Sequence, residues 1–137
     1  MKRYVYIETL GCSKNQVDSE IMMGLFQNHA YYMTSEPEQA DIIVVNTCGF
    51  IESAKEESVD TILNMAQFKS QGKCEFLLVT GCLAQRYADE LLKEMPEVDA
   101  FVGTTAFDDI VNIISRLESK EATILQTGNV DKIFSED

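Results

Sequence analysis

Basic residues are scarce in this 137-residue chain: Lys and Arg number 11 against 23 Asp and Glu, for a net charge of −12. A field of that sign repels phosphate backbones, so direct binding of nucleic acid by this chain is not expected. A basic protein partner suits it better, and the charge also serves plain solubility. No stretch approaches the roughly 18 uninterrupted apolar residues of a membrane span. The opening MKRYVYIETLGCSKNQ has neither the apolar region nor the cleavage site of a secretory signal, and a soluble, cytosolic protein with no membrane association is expected. Histidine occurs once, as His29, and the two prolines, Pro37 and Pro96, fall where loops are expected. No internal repeat or low-complexity run is visible. Paired CxxC spacing, the habit of structural zinc sites, is absent. So is the CxxxxxR loop of a small phosphatase, since the sixth residue after Cys12 is Asp18 and the sixth after Cys82 is Ala88. A receiver domain would carry an aspartate where this chain has Asn46.

What the chain does have is hydrophobic residues at 45% and a size suited to one domain with a working core. Its patterning alternates between strand and helix. Tyr4 to Thr9 is a β-branched and aromatic run, and from Val17 to Asn28 the apolar residues Val17, Ile21 and Leu25 recur at helical spacing. Tyr31 to Thr34 is a short second strand, and Asp41 to Asn46 an apolar run suited to a sheet buried on both faces. Ser53 and Glu56 resemble a capping box for a helix that continues through Val59, Ile62, Leu63 and Ala66 to about Phe68, with Gly72 closing it. Phe76 to Thr80 is a fourth strand, Ala84 to Met95 a helix, and Asp99 to Val102 a fifth strand. Phe107, Ile110, Val111, Ile114 and Leu117 line one face of a last helix. Such alternation predicts an α/β, flavodoxin-like three-layer sandwich with a five-stranded parallel sheet in the order 2-1-3-4-5. Thr123 to Gln126 is a possible extra strand, followed by Gly128 and a charged end that reads as a linker.

Three of the four cysteines share one structural address. Cys12, Cys48 and Cys82 each follow a strand within one to three residues, at the carboxyl end of the sheet, and the order 2-1-3-4-5 makes those three strands neighbours. Neighbouring strands lie about 4.8 Å apart, so sequence separations of 36 and 34 residues collapse to contact. Glycine flanks each one, in Gly11-Cys12, Cys48-Gly49 and Gly81-Cys82, and permits close backbone approach. The helices that follow direct their positive ends at the same place. Thiolates select zinc, copper(I) or iron-sulfur species, and three ligands on a 4Fe-4S cluster leave one iron without a protein ligand. Cys74, before the fourth strand and without a glycine beside it, reads as a small buried hydrophobe. Lys14, Asn15, Asn46, Thr47, Arg86 and Thr104 lie in or near strand-end loops as candidates to hydrogen-bond such a cluster. Asp18 and Glu20 fall in the expected first turn of the first helix, where carboxylates suit the dipole. Glu52, Glu56 and Glu57 form a solvated face, His29 is a surface residue, and Met22 and Met23 are helix packing.

The segments Gly11-Cys12-Ser13-Lys14-Asn15-Gln16-Val17-Asp18-Ser19-Glu20, Asn46-Thr47-Cys48-Gly49-Phe50-Ile51-Glu52-Ser53 and Thr80-Gly81-Cys82-Leu83-Ala84-Gln85-Arg86-Tyr87 resemble the amino-terminal domain of the radical SAM methylthiotransferases. The resemblance extends to about residue 120, giving a cluster-binding domain over 1–120 and, over 121–137, a possible strand and linker to a radical SAM domain. It implies that Cys12, Cys48 and Cys82 bind an auxiliary 4Fe-4S cluster that carries the sulfur or methylthio donor. It also implies that the full enzyme holds a second 4Fe-4S cluster, S-adenosylmethionine and a TRAM domain that recruits the substrate. The wording of the motifs is similar to the branch that methylthiolates the β-carbon of an aspartate in small-subunit ribosomal protein twelve, rather than to the tRNA-modifying branch. Ser13 stands where a proline is common, and Gln16 where a leucine is. The CxxxCxxC motif of the radical-generating domain is absent from this chain, so it is not expected to turn over alone, and no residue in it is expected to be catalytic. The tRNA-modifying assignment and a non-catalytic zinc or scaffold module are the competing readings.

Overall fold

The computed structural model describes residues 3–10, 13–47, 52–81, 91, 93–103, 110–119, 123–127 and 130–134. The elements are β1 (Tyr4–Thr9), α1 (Ser13–Asn28), β2 (Tyr32–Met33), β3 (Ile42–Thr47), α2 (Glu52–Ala66), α3 (Phe68–Gln71), β4 (Phe76–Gly81), β5 (Ala100–Val102), α4 (Ile110–Glu118), β6 (Thr123–Thr127) and β7 (Val130–Phe134). A 3₁₀ turn, Pro37–Gln39, separates β2 from β3. The sheet runs β2-β1-β3-β4-β5-β6-β7. Its first five strands are parallel in the order expected from the sequence, and β6 joins β5 in parallel.

The segment read as a linker supplies a strand instead. β7 pairs antiparallel with β6, closing from Thr127↔Val130 across the two-residue connection Gly128-Asn129. Strands separated by only two residues can pair only antiparallel.

β3 is buried at all six positions, the mark of a central strand covered on both faces. Ile42, Val44, Leu78, Ala100 and Val102 face Met22 and Phe26 of α1 and Ile110, Ile113, Ile114 and Leu117 of α4. Ile43, Val45, Leu77, Val79 and Phe101 face the other side, where Ile62 of α2 packs with Leu91, Met95 and Val98. The helix expected over 84–95 is represented among the described residues by Leu91, Lys93 and Glu94, which are helical.

Two readings of α1 are corrected. The helix begins at Ser13 rather than Val17, so Asp18 and Glu20 occupy its second turn and no acidic residue lies in the first. Four polar residues, Ser13 to Gln16, open it, and a search for apolar periodicity passes over them. The buried face is also rotated from the one expected: Val17 and Ile21 are 53% and 45% exposed, whereas Ser19, Met22 and Phe26 are buried. A polar residue, Ser19, begins the true inner face and hid it.

α1 ends in a Schellman motif. The Tyr31 N–H donates to the Phe26 carbonyl at 3.0 Å and the Ala30 N–H to that of Gln27 at 3.3 Å, with Ala30 at φ 68°. Phe26 and Tyr31 make the accompanying apolar contact edge to face, with ring centroids 5.4 Å apart. Likewise α2 starts at Glu52, which puts Ser53 inside the helix rather than at its cap. Among the described residues no helix is long and apolar enough to cross a membrane.

Candidate metal centre at the carboxyl end of the sheet

Cys12, Cys48 and Cys82 themselves, with Arg86 and Thr104, lie outside the described residues. The strand ends that lead into the three cysteines are described, and they adjoin. Thr47, the residue before Cys48, pairs with Gly81, the residue before Cys82. Thr9, three before Cys12, pairs with Asn46, which pairs with Thr80. Beyond the end of β1, the Leu10 N–H donates to the Asn46 carbonyl at 2.9 Å. The three cysteine-bearing segments therefore leave β1, β3 and β4 at one level of the sheet, with β3 in the middle and the outer two strands about 10 Å apart.

The approach of β4 to β3 at this point depends on a glycine. Gly81 has φ +96°, and a Cβ there would sit 2.4 Å from the Thr47 carbonyl oxygen and 2.9 Å from Asn46 Oδ1. Any side chain would push apart the two segments that enter Cys48 and Cys82.

A row of polar side chains crosses the same strand ends on the face covered by α1. Thr9 Oγ1 lies 2.7 Å from Ser19 Oγ, Asn46 Nδ2 donates to Ser19 Oγ at 3.0 Å, and Thr80 Oγ1 donates to Asn46 Oδ1 at 3.1 Å. Thr47 Oγ1 donates to the Thr80 carbonyl at 2.6 Å. Ser19, Asn46, Thr47 and Thr80 are each at most 2% exposed. Asn46 and Thr47, candidates for contacts to a cluster, thus place these side-chain groups in hydrogen bonds that tie the strand ends together. Ser19, Thr9 and Thr80 were not singled out in the sequence. For Thr9 and Thr80 the signal was there, a short polar residue two or three positions before the cysteine that follows each strand; Ser19, inside α1, carried none.

The remaining candidates lie elsewhere or are not placed. Lys14 and Asn15 are in the first turn of α1. Cys74 is 5% exposed at the opposite end of β4; its Sγ donates to the Phe76 carbonyl at 3.2 Å. Burial pushes its thiol up to about 11, so it stays protonated at neutral pH, as a packing cysteine does. His29 is exposed at the far end of α1 and its Nδ1 lies 2.9 Å from the Leu25 carbonyl oxygen. Glu56 and Glu57 are exposed and Met22 is buried, as expected. Tyr6 donates to the Glu8 carboxylate on β1, and burial together with that partner pushes its phenol up to about 12. An open depression lined by Leu63, Ala66, Lys69 and Glu97 borders the carboxyl end of α2, away from the cysteine segments. Among the described residues no group of three His, Cys, Asp or Glu could hold a metal ion.

The family model described as "Uncharacterized protein family UPF0004" matches residues 4–103. The chain belongs to that family. It is 58% identical over 121 residues to the "Ribosomal protein uS12 methylthiotransferase RimO" of Acetivibrio thermocellus, covering 88% of this chain and 26% of that protein. To the protein of the same name from Clostridioides difficile it is 51% identical over 133 residues, 97% of this chain and 30% of the relative. To that of Geotalea uraniireducens it is 47% identical over all 137 residues, 31% of the relative. The chain thus spans less than a third of the relatives it matches, and corresponds to the amino-terminal domain of a RimO-like methylthiotransferase.

Proposed function

We propose that this UPF0004 domain binds an auxiliary 4Fe-4S cluster through Cys12, Cys48 and Cys82, as the first part of an enzyme that methylthiolates the β-carbon of an aspartate in ribosomal protein uS12. The observation that carries the reading is the adjacency of the three strand ends that enter the cysteines, with Thr47 paired to Gly81 and Asn46 between Thr9 and Thr80.

The donor set and its setting fit such a cluster. Three thiolates are soft ligands of the kind that select iron-sulfur species. Gly81 keeps two of the entering segments close together. α1 begins immediately after Cys12, so its free amide groups and positive end favour the negative charge of a thiolate-ligated group. The bound cluster would supply the sulfur that leaves as part of the methylthio group.

The chain's own residues have three tasks in this reading. The cysteines bind, the glycine beside Cys82 permits close approach, and the strand ends hold the loops at one level. Cys74, protonated and buried, takes no part. A radical SAM domain with its own cluster and S-adenosylmethionine, and a TRAM domain, belong to the rest of the enzyme; the cytoplasm, where ribosomes assemble, is its setting. The net charge of −12 suits a basic ribosomal protein better than RNA. Without the radical-generating part the domain holds its cluster and does not turn over.

Anaerobic reconstitution with ferrous iron and sulfide tests the proposal. The expected product is a brown chain with about four irons and four sulfides and broad charge-transfer absorption. A colourless chain that instead takes up one zinc ion would sink it.

A further inference from the structure

We propose that the hydrogen-bonded bridge Thr9–Ser19–Asn46–Thr80 is a positioning device that holds the three cysteine-bearing segments in fixed relation, with Ser19 and Asn46 as its hubs. This rests on the cluster reading above and adds to it the residues that pre-organise the site.

The bridge sits where the sheet changes character. One row earlier, on the same face, the cross-strand partners are Ile7, Val44 and Leu78, all apolar. In the last row before the cysteines they are Thr9, Asn46 and Thr80, all polar and, for the latter two, at most 1% exposed. Apolar residues of similar size would hold these strands together equally well, because hydrophobic contact needs no hydrogen-bond partner. What polar residues add is direction. Hydrophobic attraction is non-directional, whereas a hydrogen bond weakens steeply once its length or angle departs from the optimum.

Ser19 is the group through which direction reaches the helix. It is buried at 2% and is held from β1 by Thr9 at 2.7 Å and from β3 by Asn46 at 3.0 Å. α1 starts at Ser13, the residue after Cys12, so Ser19 lies about 9 Å along the axis from the helix start. Fixing Ser19 fixes where the chain re-enters the helix after Cys12. The same Asn46 amide, through Thr80, fixes β4 two residues before Cys82, and Asn46 itself stands two residues before Cys48. One chain of side chains thus reaches all three segments, and a metal site needs its ligands held to within about 0.5 Å.

The test uses the 137-residue chain with Thr80→Val, Ser19→Ala and Thr80→Ser, and with Leu117→Ala as a control that removes apolar packing from the same face of the sheet. Each is reconstituted anaerobically, and iron release to an excess of a ferrous chelator is timed beside thermal unfolding of the iron-free chain. Thr80→Val and Ser19→Ala are expected to unfold cooperatively but to lose iron at least tenfold faster than the wild type. Thr80→Ser, which keeps the hydroxyl, restores slow release, and Leu117→Ala lowers the melting temperature without accelerating it. Wild-type release rates in both Thr80→Val and Ser19→Ala would overturn the positioning role. So would a Leu117→Ala variant that loses iron as fast as they do, because overall stability would then set the rate. If Thr80→Val fails to fold, Ser19→Ala reads the same bridge from the helix. A wild-type chain that takes up no iron overturns the cluster reading itself, whereas iron retained by every variant overturns only the bridge.

Discussion

Gly81→Ala isolates the closest approach at the site. The wild-type residue sits at φ +96°, and the added Cβ would come within 2.4 Å of the Thr47 carbonyl oxygen, 2.9 Å of Asn46 Oδ1 and 3.0 Å of the Thr47 nitrogen. The first two obstacles cannot swing away: one is backbone of the central strand, the other a buried amide already held by Thr80. An L-residue in left-handed backbone costs about 1–2 kcal/mol. Relieving the overlap means drawing β4 away from β3 at the pair Thr47↔Gly81 and weakening one or two hydrogen bonds, each worth about 1 kcal/mol. The sum is about 3 kcal/mol. For a chain of this size that lowers the melting temperature by about 10 °C. Urea unfolding followed by far-ultraviolet circular dichroism measures the first quantity and a thermal scan the second. A Gly81→Ala chain within about 0.5 kcal/mol of the wild type, below the range of surface substitutions that matter, would refute the argument that a glycine is obligatory beside Cys82. The same variant should reconstitute with less iron, since the segments entering Cys48 and Cys82 are those driven apart.

The ligand assignment predicts that Cys48→Ala abolishes iron uptake while Cys74→Ala leaves it intact; equal losses by iron analysis would show the assignment to be wrong. Cys74 also predicts a pH dependence. Its thiol rises from 9.0 to about 11 on folding, so the folded chain keeps a proton that the unfolded chain gives up. The stability this contributes is complete below pH 9 and lost as pH rises towards 11. Denaturant titrations at pH 8 and pH 11 should show that fall in the wild type and a smaller one in Cys74→Ala. Ala30 occupies the left-handed position of the Schellman motif with φ 68°, where glycine carries no Cβ penalty. Ala30→Gly should therefore raise stability by about 0.5–1 kcal/mol, and a loss in urea unfolding would contradict the motif. Asp99 Oδ2 accepts from Lys69 Nζ at 2.6 Å and from the Leu77 N–H at 2.9 Å. Asp99→Ala removes both and should cost about 1–2 kcal/mol, read by the same titration with Lys69→Ala costing less.

The strand order, and with it the adjacency of the strand ends that lead to three cysteines, were legible in the sequence because both are statements about periodicity and position. Apolar runs such as Asp41 to Asn46 and Phe76 to Thr80 announce buried parallel strands, and a cysteine just after such a run must lie at the sheet's carboxyl end. Four features needed three dimensions. The inner face of α1 is headed by Ser19, whose burial is tolerable only because Thr9 and Asn46 satisfy it; no hydropathy pattern scores a polar residue as core. The early start of that helix at Ser13 comes from backbone hydrogen bonding through four polar residues, which periodicity does not register. β7 was read as linker because it follows Gly128 and runs into a charged end, and its pairing with β6 is what makes it a strand. The obligation at Gly81 is likewise tertiary, since the atoms that exclude a Cβ belong to β3. Sequence set each of the three cysteines just after a strand; the cross-strand register decided that the strand ends entering them adjoin.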